Sequence, residues 1–176
     1  MAKHLMCDLE TLGTQIDTTI LTLGAVHFDP YSDWFGDTLY LKISMEDQDA
    51  LGRTVDQSTL DWWARQDPDI MEEAFSTDGR LGLDYAVEQF HKFAWGCDAI
   101  WSHGSVFDVI IMEHLYKQLN RTVPWQYYQI RDTRTIFDLG IDPKMPQGQK
   151  HNALHDAVRQ AVGVQNVYAA LGIKPR

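Results

Sequence analysis

The 176 residues, 44% hydrophobic and 23% charged, describe one globular domain, residues 1–176, long enough to bury its own core. No apolar run approaches the ~20 residues of a membrane span, and Met1-Ala2-Lys3-His4-Leu5 lacks the apolar stretch of a signal peptide, so a soluble, unexported protein is expected. A formal net charge of −10 speaks against a broad basic surface of the kind that coats duplex nucleic acid.

Lys3 to Glu10 is predicted as a first strand, Thr19 to Asp29 as a second and Thr38 to Ile43 as a third, with a turn over Asp29-Pro30-Tyr31-Ser32-Asp33. Helices are predicted over Ser58 to Gln66 and Leu83 to Trp95. The latter carries Leu83, Ala86, Val87, Phe90 and Ala94 on one face and Gly96 as its stop. Ala99 to His103 reads as a short strand. Ser105 is the expected cap of a helix reaching Leu119, with Phe107, Ile110, Ile111 and Leu115 as its apolar stripe. A strand near Tyr127 to Arg131, a short helix from Asp132 to Leu139 and a Gly/Pro-rich stretch from Gly140 to Lys150 follow. Asn152 caps a last helix that runs to about Leu171. There is no internal repeat or low-complexity tract. Strands in a hairpin array followed by alternation with helices define an α/β fold. Its mixed sheet has five strands, the first three antiparallel, with helices on the flanks. The two cysteines, Cys7 and Cys97, show no metal-type spacing and fit a reducing cytoplasm.

Asp8 and Glu10, two apart in a strand, leave the same face roughly 6–7 Å from one another. Leu5, Cys7 and Leu9 form the opposite face, which marks an interior strand where uncompensated charge is costly. A D-x-E pair alone is more often a polar strand face than a metal site. Asp108 falls at the start of a helix just beyond a strand. An acid there is favoured by the helix dipole alone, but this is also where α/β proteins collect their ligands. In His151-Asn152-Ala153-Leu154-His155-Asp156, the histidine and the aspartate would point about 140° apart on one continuous helix. With Asn152 as cap, His151 lies on the entering loop and Asp156 near the second turn. Four carboxylates and a histidine in this order have the constitution of a two-metal phosphodiesterase. Carboxylates that hold Mg²⁺ or Mn²⁺ count as negative in the net charge yet present a positive centre once loaded.

The combination resembles the DEDDh family of 3′–5′ exonucleases, whose fold is ribonuclease H-like, over nearly the whole chain. The motif blocks are Asp8-Leu9-Glu10-Thr11-Leu12-Gly13, His103-Gly104-Ser105-Val106-Phe107-Asp108 and the segment from His151 to Asp156. The resemblance implies Asp8, Glu10, Asp108 and Asp156 as ligands of two divalent ions, Mg²⁺ or Mn²⁺, and His151 as general base. Thr59 to Gln66 and Arg131 to Thr135 further resemble a compact bacterial and phage branch. That branch includes phage exonuclease A-like, exodeoxyribonuclease VIII-like and mycobacterial adenylate-trimming exoribonuclease proteins. The second block often begins with Asn, and His103 stands there in this chain.

The implied activity is metal-dependent hydrolysis at the 3′ end of single-stranded DNA or RNA, releasing nucleoside 5′-monophosphates. The implied setting is a bacterial cytoplasm, with a phage as a further source of the gene, and the resemblance admits a homodimer. Histidine titrates near neutrality, which suits a general base. Thr11 and Leu12 match positions that meet the terminal nucleotide in the family, and His103, Phe107 and Arg134 join them as substrate contacts. Trp62 and Trp63 lie about 100° apart on a helix. One is expected to pack and the other, assigned as Trp63, to stack on a base, against the competing account that both pack. Arg131, Lys144 and Lys150 are further phosphate-contact candidates beside the default of solvated charge. The Gly140 to Lys150 stretch is expected to act as a lid that delivers His151. The rival readings are a non-catalytic nucleic-acid-binding or partner-docking module with the same fold and a ribonuclease H-like endonuclease.

Overall fold

The computed structural model describes residues 1–148 and 151–175. Its sheet begins with the expected meander: β1 (His4–Thr11) pairs antiparallel with β2 (Ile20–Phe28), and β2 pairs antiparallel with β3 (Phe35–Ile43). The chain then forms α1 (Met45–Ala50), α2 (Gln57–Trp63) and α3 (Pro68–Phe75), a two-residue strand β4 (Arg80–Leu81), and α4 (Leu83–Ala94). Next come β5 (Ala99–Ser102), α5 (Asp108–Gln118), a 3₁₀ turn over Tyr127–Gln129, β6 (Ile130–Asp132), α6 (Thr133–Phe137) and α7 (Ala153–Leu171). The sheet order is β4-β3-β2-β1-β5-β6, six strands where five were expected. The extra strand, β4, is only two residues long and lies parallel to the end of β3. It is too short to show alternation.

Strand β1 carries two cores by alternation. Leu5, Cys7 and Leu9 point to one face, where Leu83, Ala86, Val87 and Phe90 of α4 and Val109, Met112 and Leu115 of α5 cover them. Met6 points to the other face, among Val26, Phe28, Trp101 and Ala157, Ala161 and Val164 of α7. Asp8 and Glu10 continue the Met6 face toward the end of the strand. A smaller cluster of Leu12, Leu21, Trp63 and Ala74 fastens α2 and α3 to the sheet end.

Several boundaries differ from the sequence reading for identifiable reasons. Helix α1 has no apolar period, and it forms because Ser44 Oγ caps it by accepting from the Asp47 N–H at 3.1 Å. Helix α3 starts on Asp67-Pro68, a cap followed by proline in the first turn. Ser105 does not cap α5. Its N–H and hydroxyl both donate to Asp132 Oδ2, and the helix starts three residues later at Asp108. Ile110 consequently faces solvent while Val109 and Met112 fill the stripe. Tyr127 to Gln129 coil into a 3₁₀ turn closed by reciprocal bonds between Gln126 and Gln129, so the strand pairs with β5 only from Ile130.

The first turn of α7 rests directly on the β2 backbone opposite Asp8. Gly24 pairs with Asp8 across β1 and β2, and a Cβ on Gly24 would come within 2.1 Å of the Leu154 nitrogen and 2.3 Å of the Ala153 carbonyl oxygen. Replacement of core side chains by larger ones costs about 1–3 kcal/mol where neighbouring side chains can yield. Here the obstacle is backbone. Gly24→Ala is therefore expected to lose more than ~3 kcal/mol in urea unfolding; unchanged stability would contradict the close docking.

Candidate active site

Strand β1 pairs with β5 only through His4, Leu5 and Met6, matched to Ala99, Ile100 and Trp101. Beyond that point the two parallel strands separate, and a crevice opens at their carboxyl ends, the usual ligand position in such sheets. The Leu9 N–H takes Asp108 Oδ1 as its acceptor at 3.1 Å. Asp108 arrives there because Gly104, at φ 113°, turns the chain sharply between β5 and α5. Glu10 lies at a break in the β1–β2 register, where a bulge re-aims side chains.

On the other wall, Asn152 Oδ1 accepts from the His155 N–H at 3.1 Å and starts α7, as expected. His151 is on the entering turn in the left-handed region, φ 60°, and its N–H donates to Asp156 Oδ2 at 2.9 Å. The five-residue spacing thus folds back on itself, so both side chains serve one site. Ligand oxygens of Asp8, Glu10 and Asp156 lie within 4.8 Å of one another. Together with Asp108, His151, His103, Phe107 and Arg134 they line a cavity of about 390 Å³.

Burial, together with the charges of Asp108 and Glu10, pushes Asp8 well above the usual carboxylate range. Burial, then Asp156 and Asp108, raises Glu10 to about 8. Burial also raises Asp108, opposed by the Leu9 N–H. The cations here offer little relief, since Arg159 reaches Asp156 Oδ1 at 2.9 Å but no lysine or arginine is bonded to Asp8 or Glu10 among the described residues. Oxygen donors crowded against their own repulsion fit a hard divalent cation. His103 donates or accepts through Nδ1 at Thr133 Oγ1, 2.8 Å away, and burial followed by Arg134 lowers its pKa.

Two assigned contacts, Trp63 and Leu12, pack in the core, although Trp63 also reaches the lining of the cavity beside Thr11. Trp63 is 2% exposed, and its Nε1–H donates to the Thr11 carbonyl oxygen at 3.0 Å. Trp62, 40% exposed, is the indole at the surface, and its ring meets that of His151 edge-on with centroids 4.8 Å apart. Leu12 packs against Leu21 and Trp63, with its N–H bonded to Thr19 and its carbonyl oxygen to Asp56. Thr11 lines a second cavity with Thr14, Ser58, Thr59, Trp62 and Phe107, adjoining the first through Leu9, Glu10 and Phe107.

Arg131 donates to the Tyr128 and Ile130 carbonyls and, like Lys144, does not line the acid cavity, whereas Arg134 does. Lys150 lies outside the described residues. The segment expected to move freely is tied to α7 in its described part: Asn166 Nδ2 donates to the Pro143 oxygen and Arg159 Nε to the Pro146 oxygen. Tethered through its own N–H and packed on Trp62, His151 faces the cavity rather than standing away from it. The sequence reading missed Arg159 and Gln160, although both lie three and four residues beyond Asp156, where helical periodicity places them on its face.

A mixed sheet that splits beside clustered acids is the ribonuclease H-like architecture. A family model for the 3′–5′ exoribonuclease Rv2179c-like domain matches residues 3–168, and the chain belongs to that family. An exodeoxyribonuclease of Enterobacteria phage T4 is 21% identical over 90% of this chain and 90% of the phage protein. Among solved structures, cell-death related nuclease 4 aligns with a TM-score of 0.68 at 17% identity, over 98% of this chain and 65% of its own. The zinc-bound E. coli exonuclease I complex with single-stranded DNA aligns with a TM-score of 0.71 at 12% identity, over 98% of this chain and 42% of its own. The chain thus spans less than two thirds of these structural neighbours.

A carboxyl whose pKa is raised on folding stabilises the fold most when protonated, and that stability is lost as pH rises toward its folded value. The metal-free protein is therefore expected to lose thermal stability between about pH 4.5 and 8, the interval over which Glu10 is shifted. Glu10→Gln should raise the metal-free melting temperature at pH 8 and flatten this slope in a calorimetric pH series. A slope unchanged by the substitution would refute the assignment.

Proposed function

We propose that the chain is a metal-dependent exonuclease that removes nucleoside 5′-monophosphates from the 3′ end of single-stranded nucleic acid. The observation that carries this reading is the convergence of Asp8, Glu10 and Asp156 within 4.8 Å, with Asp108 and His151 on the same cavity. The four carboxylates would hold two divalent ions, Mg²⁺ or Mn²⁺, which an all-oxygen donor set favours. Bound there, the ions supply positive charge against the phosphodiester as it reacts and offset the buried negative charge.

His151 accepts a proton from the attacking water, whose oxygen bonds to phosphorus as the bond to the 3′-oxygen breaks. Its backbone tether to Asp156 holds it over the acids. Arg134, on the opposite wall, faces the phosphate, and Phe107 and His103 confine the nucleotide. The neighbouring cavity takes the terminal nucleoside, with Thr11 at its floor and Trp62 offering a ring face to the base. The relatives' names point to both ribo- and deoxyribonucleic acid, and the exonuclease I neighbour is a complex with single-stranded DNA.

Oligonucleotides of DNA and RNA labelled at either end, incubated with Mn²⁺ or EDTA, test the reading. The expected result is mononucleotide release from the 3′ end with Mn²⁺ alone, abolished by Asp108→Ala. His151→Ala should lower kcat by about 10²–10⁴-fold. Internal cuts, or cleavage that persists in EDTA, would overturn it.

The two tryptophans should separate cleanly. Trp62→Ala is expected to weaken substrate binding by about 1–3 kcal/mol with little change in stability. Trp63→Ala should instead cost about 3–5 kcal/mol in denaturant unfolding. Equal binding losses in the two variants would refute the division of roles.

A further inference from the structure

Helix α7 carries two glutamines, Gln160 and Gln165, each 8% exposed. Their partners separate them. Gln165 Nε2 donates to the carbonyl oxygens of Asp29 at 3.0 Å and Trp34 at 3.1 Å, the ordinary service of a buried amide to backbone acceptors. Gln160, one turn beyond Asp156, lines the acid cavity, and its Nε2 donates to Asp8 Oδ1 at 2.9 Å. Its Oε1 is buried without a partner.

An orphaned buried acceptor is unfavourable, and a methionine of the same reach would avoid it. Turning the amide over would not help in the metal-binding form, because Oε1 would then face an ionised carboxylate oxygen, acceptor against acceptor. Packing alone therefore does not select glutamine here, whereas the bond to Asp8 does. We infer that Gln160 is a positioning residue for metal loading: its amide donor fixes the Asp8 carboxylate so that it faces Glu10 and Asp156. Four residues along one helix face then carry both a ligand, Asp156, and the group that orients a second ligand on β1. The inference rests on the reading of Asp8 as a metal ligand. Partners that orient metal ligands in this way change metal affinity by about 10–100-fold when removed.

The test uses the full chain freed of metal with EDTA and exchanged into chelator-free buffer. Mn²⁺ affinity is measured by titration calorimetry and the metal-free melting temperature by scanning calorimetry. Gln160→Met is expected to weaken Mn²⁺ binding by about 10–100-fold while leaving the metal-free melting temperature equal to or above that of the parent. Gln160→Asn, which keeps the amide and withdraws it by one methylene, should show the same loss of affinity and carries the comparison if the methionine variant does not fold. Gln165→Met, the matched control, should lower the melting temperature and leave Mn²⁺ affinity unchanged. Parental Mn²⁺ affinity in a folded Gln160 variant would overturn the inference, as would a loss that merely follows a lowered melting temperature. A parent protein that takes up no Mn²⁺ would overturn the metal reading as well. Binding that Asp8→Asn abolishes but neither Gln160 variant alters would overturn the role of Gln160 alone.

Discussion

The contact between the start of α7 and the backbone of β2 at Gly24 is the constraint on which the site depends. Asp8 and Glu10 are set by strand alternation, and Asp108 by the turn out of β5, but all three are on one side of the crevice. His151 and Asp156 reach them only because α7 lies with its own backbone against a residue that has no side chain. A methyl group there would lift the helix by an appreciable fraction of its contact distance, and protein interiors do not absorb such displacement by local compression. The rest of α7 then follows: Ala157 and Ala161 are small enough to keep the helix close to Met6, Val26 and Trp101.

That close approach concentrates like charges where water is scarce. The acids are held in place by neutral donors more than by cations, with the Leu9 amide on Asp108, the Gln160 amide on Asp8 and the His151 amide on Asp156. Hydrogen bonds of this kind fix direction without cancelling charge. Arg159 is the exception, and it divides its guanidinium between Asp156 and the Pro146 carbonyl. The geometry is thereby rigid while the electrostatic strain remains available to be relieved by a bound cation, an arrangement in which stability is given up at a functional site.

Much of the fold and site was legible because it depends on local rules. The alternation of β1, the apolar face of α4, the cap at Asn152 and the left-handed Gly96 are each decided within a few residues. The cluster of Asp8, Glu10, Asp108, His151 and Asp156 was readable because such a costly set of residue types implies a common compensator. What escaped depends on partners distant in sequence. Nothing local separates Trp62 from Trp63. The burial of Trp63 is decided by Leu12, Leu21 and Phe75, and by the Thr11 carbonyl. The same holds for Ser105, a plausible cap until Asp132 supplies a better partner for its N–H. Helix α1, apolar only at its two ends and capped by one hydroxyl, has no periodicity to read.

The bond between Asp8 and Gln160 joins residues 152 positions apart, and the Gly24 contact with Ala153 and Leu154 is nearly as distant. Contacts of such separation form late, after the nearer pairings of the meander have closed. During synthesis the strands of the N-terminal half are available well before α7 leaves the ribosome. The growing chain therefore carries Asp8 and Glu10, joined later by Asp108, before the histidine and fourth acid that line the same cavity. The acid cavity therefore takes its full form only when α7 docks against β2.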